Sequence, residues 1–151
     1  MSDDGGCWCP LFKLLPESVH TMKIEHNNLG RNDMKGISKL ASLTHLHLSD
    51  NDLSPQLVRY FDRTRFQSWS SLEQLVLENN NIGPEGAEIL AQAFEDNGNL
   101  QLLQLRRDDV TLTGASKVAR RLPRRADGYR ALVIDDRSSG IKYRCKKVCS
   151  P

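Results

Sequence analysis

Aromatic residues are scarce in this chain, at 6% of 151 residues, while charged residues reach 26%. That balance suits a thin architecture with much surface better than a thick globular core. Long apolar runs are missing as well. None approaches the roughly 20 residues needed to cross a bilayer as a helix. No glycine loop of the kind that cradles phosphate is present, since Gly83-Pro84-Glu85-Gly86 reads as the start of a helix. No Ser-His-Asp or Cys-His order is legible, which argues against an enzyme built on an activated nucleophile. The opening Met1-Ser2-Asp3-Asp4-Gly5-Gly6 is acidic and unlike a secretory signal. Ser2 stands where myristoylation needs glycine, and Cys149-Ser150-Pro151 is one residue short of a prenylation box. The expectation is a cytoplasmic or nuclear protein of one domain.

What the chain does have is a recurring frame, L-x-x-L-x-L-x-x-N-x-L. It runs Val19-x-x-Met22-x-Ile24-x-x-Asn27-x-Leu29, then Leu43-x-x-Leu46-x-Leu48-x-x-Asn51-x-Leu53. It returns as Leu72-x-x-Leu75-x-Leu77-x-x-Asn80-x-Ile82 and Leu100-x-x-Leu103-x-Leu105-x-x-Asp108-x-Val110. A worn fifth copy reads Tyr129-x-x-Leu132-x-Ile134. First positions 19, 43, 72, 100 and 129 are spaced by 24, 29, 28 and 29 residues. A frame of this kind at this period is the signature of a leucine-rich repeat.

Each frame predicts one short strand and a turn. Frame positions 4 and 6 face inward, because strand side chains alternate between faces. Position 9 holds Asn27, Asn51 and Asn80, whose amides both donate and accept and so can tie each turn to the next. Asp108 interrupts this structural ladder. Ionised, it accepts but cannot donate, so a looser stack is expected there. The return segments read as helices. In repeat 3, Ala87, Leu90, Ala91 and Phe94 follow the spacing of a single buried helical stripe, and Asp96-Asn97-Gly98-Asn99 ends the helix. Repeat 4 repeats the pattern with Gly114, Ala115, Val118, Ala119 and Leu122. The small Gly-Ala pair lets each helix start lie close to its neighbour. Pro55, Leu57, Val58, Phe61 and Phe66 serve repeat 2, and Met34, Ile37 and Leu40 serve repeat 1.

The 28–29-residue period and the run LENNNIGPEGAEILAQAF resemble the ribonuclease-inhibitor-like subfamily of leucine-rich repeats over roughly residues 16–137. The resemblance implies an α/β fold: a short right-handed β-α superhelix of about five repeats, with a concave parallel sheet and convex helices. It also implies an intracellular protein that binds other proteins. Residues 1–15 would form an N-terminal cap, with Leu11, Phe12, Leu14 and Leu15 covering the open core end, as a solenoid requires. Residues 138–151 would form a basic C-terminal tail or cap. GTPase-activating members of the subfamily use an arginine, but no arginine here matches their motif, and no catalytic residue is expected.

Positions 3, 5 and 7 point away from the core and form rows across the repeats. Position 3 gives Thr21, His45, Gln74, Leu102 and Ala131; position 5 gives Lys23, His47, Val76, Gln104 and Val133. Position 7 gives Glu25, Ser49, Glu78, Arg106 and Asp135. Leu102, Val76, Val133 and Ala131 would make a small apolar patch rimmed by Gln74, Gln104, Glu78 and Arg106, the composition of a protein-binding spot. His45 and His47 share that face. With Glu25, Asp50 or His26 they could hold a metal, although two solvated histidines are the simpler reading.

The net charge of +2 conceals an asymmetry. Residues 1–109 carry 10 Lys/Arg against 16 Asp/Glu, and residues 110–151 carry 11 Lys/Arg against 3 Asp. Arg120, Arg121, Arg124, Arg125, Lys142, Arg144, Lys146 and Lys147 are candidate contacts for an acidic partner or a polyanion. The segment Ile141–Lys147 interleaves Tyr143 with cations, which suits RNA, an acidic protein groove or an anionic membrane. The cysteines fall in two pairs, Cys7/Cys9 and Cys145/Cys149. Five strands at about 4.8 Å hold those pairs roughly 20 Å apart, too far for one zinc ion. Reduced thiols, no metal and no cofactor are expected. The reading is a non-catalytic adaptor or assembly subunit that binds protein through the concave face. The alternative is a structural ribonucleoprotein subunit contacting RNA phosphates through the basic C-terminal third.

Overall fold

A computed structural model describes residues 8–61, 69–122, 132–136 and 141–144, with backbone alone for Cys9, Asp135, Asp136 and 141–144. Among the described residues the elements alternate: α1 (Cys9–Leu14), β1 (Thr21–Lys23), α2 (Arg31–Ile37), β2 (His45–His47) and α3 (Pro55–Val58). There follow β3 (Gln74–Val76), α4 (Gly83–Ala93), β4 (Leu102–Arg106), α5 (Leu112–Arg121), β5 (Leu132–Asp136) and β6 (Ile141–Arg144). The strands lie in one sheet in sequence order, β1-β2-β3-β4-β5-β6. The first five are parallel, and β6 turns back antiparallel to β5. The fold is a leucine-rich repeat solenoid, and the worn fifth frame supplies a true strand of it.

Parallel neighbours one repeat apart arise because every frame contributes the same two inward side chains at the same height. Met22, Leu46, Leu75, Leu103 and Leu132 pair in register, and all are buried. With Leu48, Leu77, Leu105 and the helix stripes they form one continuous core. Shortly after each of the first four strands, position 8 adopts a left-handed backbone, at His26, Asp50, Asn79 and Arg107. That recurring twist turns the chain toward the helix side.

Helix length tracks how well the return segment suits a helix. α4 and α5 are full helices starting at Gly-Pro and at Thr111, whose hydroxyl accepts from the Gly114 N–H at 3.3 Å. In repeat 2 the helix is short: α3 gives way to a 3-10 turn over Arg59–Phe61. Phe61 then packs against Trp69 and Phe94, with ring centroids 4.9 and 6.1 Å apart. Phe66, expected in that stripe, lies outside the described residues. In repeat 1, Met34 and Ile37 are buried in α2, while Leu40 lies past its end.

The N-terminal segment packs on the first repeat through Phe12 and the partly buried Leu15, whereas Leu11 and Leu14, expected to join them, are exposed. Phe12 is buried, and Gly36 of α2 makes room for it: a Cβ there would sit 2.6 Å from Phe12 Cδ2. Asp33 locks the junction. Its Oδ1 accepts from Trp8 N–H at 2.7 Å, and its Oδ2 accepts from Gly30 N–H at 3.0 Å.

Candidate functional site: the concave face and the asparagine ladder

Sheet register builds the concave face. Thr21, His45, Gln74 and Leu102 are successive partners, and so are Lys23, His47, Val76, Gln104 and Val133. Arg106 pairs with Asp135 in the third row. The rows expected from strand alternation are therefore physical neighbours, on the side of the sheet turned away from the helices. His45, His47, Gln74, Glu78, Leu102, Gln104, Arg106 and Val133 are each partly exposed, so the face is open to a visiting molecule.

Three features differ from the expected surface, and one is Ser49, set outward in the third row but buried. Val76, expected as part of an exposed apolar patch, retains only 8% of its surface, although it stands outside the core cluster. It sits mid-sheet, flanked in register by His47 and Gln104, and on closely spaced strands such neighbours shield a short side chain. The accessible apolar contribution thus shifts to Leu102 and Val133, while Ala131 lies outside the described residues. The polar rim is also organised. Glu78 Oε1 accepts from Gln104 Nε2 and lies 3.3 Å from Arg106 Nη1. Lys23 and Glu25 pair at 3.1 Å on the first repeat. The histidines do not converge: His26 lies 3.6 Å from Asp50, whereas His45 Nδ1 lies 2.9 Å from Thr44 Oγ1.

Behind the face runs the asparagine ladder. Asn51 Oδ1 accepts from Asn27 N–H at 3.1 Å, and Asn80 Oδ1 accepts from Asn51 N–H at 3.0 Å. Asn80 Nδ2 donates to the carbonyls of Leu48 and Leu77, and Asn51 Nδ2 to those of Ile24 and Ser49. Asp108 does not break the chain of acceptors, since its Oδ1 accepts from Asn80 N–H at 2.8 Å. The expectation of an ionised, looser rung needs correction. Asp108 is buried, and its Oδ2 has no hydrogen-bond partner among the described residues. Burial pushes its carboxyl up to about 8, against the lowering effect of the Asn80 N–H, with Glu78 and Asp109 adding to the rise. At neutral pH this rung is mostly the neutral acid.

The basic residues divide. On the helix side, Lys117 pairs with Glu88 at 2.8 Å and Arg121 lies 3.7 Å from Glu95, each one repeat away. The Lys117 ammonium, hydrogen-bonded to Glu88, holds that carboxyl below its ordinary value. Arg121 is thus partly committed within the protein, whereas Arg120 is exposed. Lys142 and Arg144 fall in β6, where the register sets them opposite Asp135 and Val133. Two groups of candidate contacts far apart in sequence become adjacent in one sheet. Arg124, Arg125, Lys146 and Lys147, with Cys7, Cys145 and Cys149, lie outside the described residues.

Several buried polar residues escaped the sequence reading, among them Asp33, Ser38 and Asn97. Asn97, taken as a helix-stopping turn residue, is buried and donates through Nδ2 to the carbonyl of Trp69 at 2.9 Å. Its Oδ1 accepts from the N–H groups of Asn99 and Leu100. The cue was its place in the frame, just before the next strand, where a side chain can reach one repeat back.

The Leucine Rich repeat family model matches residues 39–56 and 70–91, which hold β2 with the start of repeat 2 and β3 with most of α4. Together with the stacked strands and helices, these matches at two repeats support the class of leucine-rich repeat proteins. Comparison with curated proteins and with solved structures gives no match.

Proposed function

We propose that the chain is a non-catalytic binding module, a small adaptor or assembly subunit, that holds one protein partner on the C-terminal half of its concave face. The observation that carries this reading is the open register of β4, β5 and β6. It sets Leu102, Gln104 and Val133 side by side with backbone positions 142 and 144 next to them. An apolar spot with a polar rim and adjoining cations suits a partner segment with an apolar anchor flanked by carboxylates. The 28–29-residue period and the full helices α4 and α5 support a place in the ribonuclease-inhibitor-like subfamily, and with it a cytoplasmic or nuclear setting. RNA binding through the basic third is the second reading. The cations of β6, adjacent to the open face, support it, while the Lys117–Glu88 and Arg121–Glu95 pairs leave fewer cations for phosphate.

Affinity capture with the intact chain tests the proposal. Leu102→Asp should abolish retention of the protein partner while far-UV circular dichroism stays unchanged, because Leu102 is only half-buried. Retention should depend modestly on salt. A complex indifferent to Leu102→Asp, or one whose affinity falls by several powers of ten between low and moderate salt, would replace this reading with phosphate contact.

A further inference from the structure

We propose that the cavity between the N-terminal cap and the first repeat is a binding site for a monomeric aliphatic anion, such as a medium- or long-chain carboxylate. The cavity has a volume of about 580 Å³ and is bounded by α1, α2 and the turns that follow each of them. That volume falls within the range of small-molecule sites. It lies at the end of the solenoid, so the proposal is independent of the concave-face reading.

The lining sorts by chemistry. Phe12, Leu15, Val19 and Leu40 form an apolar floor, and the last three are only partly buried although they pack on the core. The first repeat therefore leaves apolar surface that the cap does not cover. Above it stand Lys13, Lys35 and Lys39, all exposed, with Glu17 as the acidic member of the lining. None of these lysines makes an ion pair among the described residues.

Placement concentrates the charge. Asn32, Lys35 and Gly36 lie on α2 and Lys39 in the turn just past its end, and all four line the cavity. Like charges lining one cavity repel each other, and an anion between them relieves that repulsion. Gly36 serves twice. Its missing side chain seats Phe12, and its backbone forms part of the wall. An apolar floor beneath a cationic mouth matches an aliphatic chain ending in a negative head. A cationic amphiphile would meet the lysines, and an uncharged one would leave them unpaired.

Isothermal titration of the full chain with dodecanoate below its micelle concentration should show saturable binding at one site. Dodecanol and dodecyltrimethylammonium should bind at least about tenfold more weakly, the loss of one charge-assisted contact. The double variant Lys35→Gln/Lys39→Gln should weaken dodecanoate by a similar factor with unchanged circular dichroism. If that variant fails to fold, Ala41→Phe serves in its place. Ala41 is an exposed lining residue, and the larger ring fills the cavity without altering charge. The proposal is overturned by non-saturable heats, by equal binding of dodecanol, or by dodecanoate affinity that survives these changes. Association only with anionic vesicles, without binding of monomeric dodecanoate, would also overturn it in favour of a membrane-surface contact.

Discussion

Asp108 occupies the position that asparagine fills in the three preceding repeats, and the exchange alters how stability responds to pH. Asn80 turns its Nδ2 to the carbonyls of Leu48 and Leu77. Asp108, at the same frame position one repeat on, leaves its Oδ2 buried without a hydrogen-bond partner among the described residues. A charge on that oxygen would lose its hydration with no donor to replace it, so the neutral acid is favoured. With a carboxyl raised from 3.8 to about 8, the native state keeps a proton that the unfolded chain releases near pH 4. The stabilisation is complete below about pH 4, declines as pH rises toward 8 and is level above that. Asp108→Asn restores a permanent donor. It should remove this slope and raise stability by about 1–3 kcal/mol at neutral pH, with a larger gain at pH 8 than at pH 5. Urea denaturation at both pH values checks it, and an equal gain at the two would show that Asp108 does not titrate in this range. Along the same ladder, Asn80 satisfies the N–H groups of Asn51 and Leu53 as well as the two carbonyls. Asn80→Ala should therefore cost more than about 2 kcal/mol, whereas the half-buried terminal Asn27→Ala should cost about 1 kcal/mol or less, read as shifts in thermal unfolding.

At the level of elements, the helices stack through glycine. A Cβ on Gly86 would lie 2.8 Å from Ile82 Cγ2 and 3.5 Å from the Pro55 backbone, so α4 rests directly on the start of α3. Gly114 repeats the arrangement one turn of the solenoid later, 3.3 Å from Pro84 Cα. Gly86→Val should force the starts of α3 and α4 apart at a cost of about 1–3 kcal/mol. Gly98→Ala, with no atom within 4 Å of the new methyl, should be close to neutral in the same denaturation assay. The closeness of these helix starts was legible in the sequence, because Gly-Ala recurs at a fixed offset from the frame. So were the strands and their rows, since a period of two within the frame and one frame per repeat leave a single register. β6 was less legible. Ile141-Lys142-Tyr143-Arg144 alternates apolar with cationic residues, a strand signal, but it lies beyond the last frame and its basic composition suggested a tail. The burial of Val76 and the protonation of Asp108 depend on what neighbouring repeats place beside them. No single frame encodes that, and these are the points at which the expected surface needed revision.

Across the whole molecule, each repeat meets chiefly its neighbours, so lesions should report their position along the stack. Phe12 lies in the cap at the first repeat, where it rests against Gly36. Trp69, by contrast, is 1% exposed mid-solenoid, stacks on Phe61 and donates its indole N–H to the Tyr60 carbonyl at 3.1 Å. The carbonyl of Trp69 in turn accepts from Asn97 one repeat onward. Removing that ring unsettles repeats 2 and 3 together. Trp69→Ala should cost about 3–5 kcal/mol and lower amide protection on both sides of the centre, in β2, β3 and α4. Phe12→Asp should instead release the amides of α1, α2 and β1 while those of β3, α4 and β4 keep most of their protection. Hydrogen exchange on the two variants distinguishes a stack that frays from its end from a block that opens as one. Uniform loss of protection in Phe12→Asp would mean that five repeats are too few for end and centre to act separately. In that event the N-terminal cap would stabilise the concave face as directly as the core beneath it.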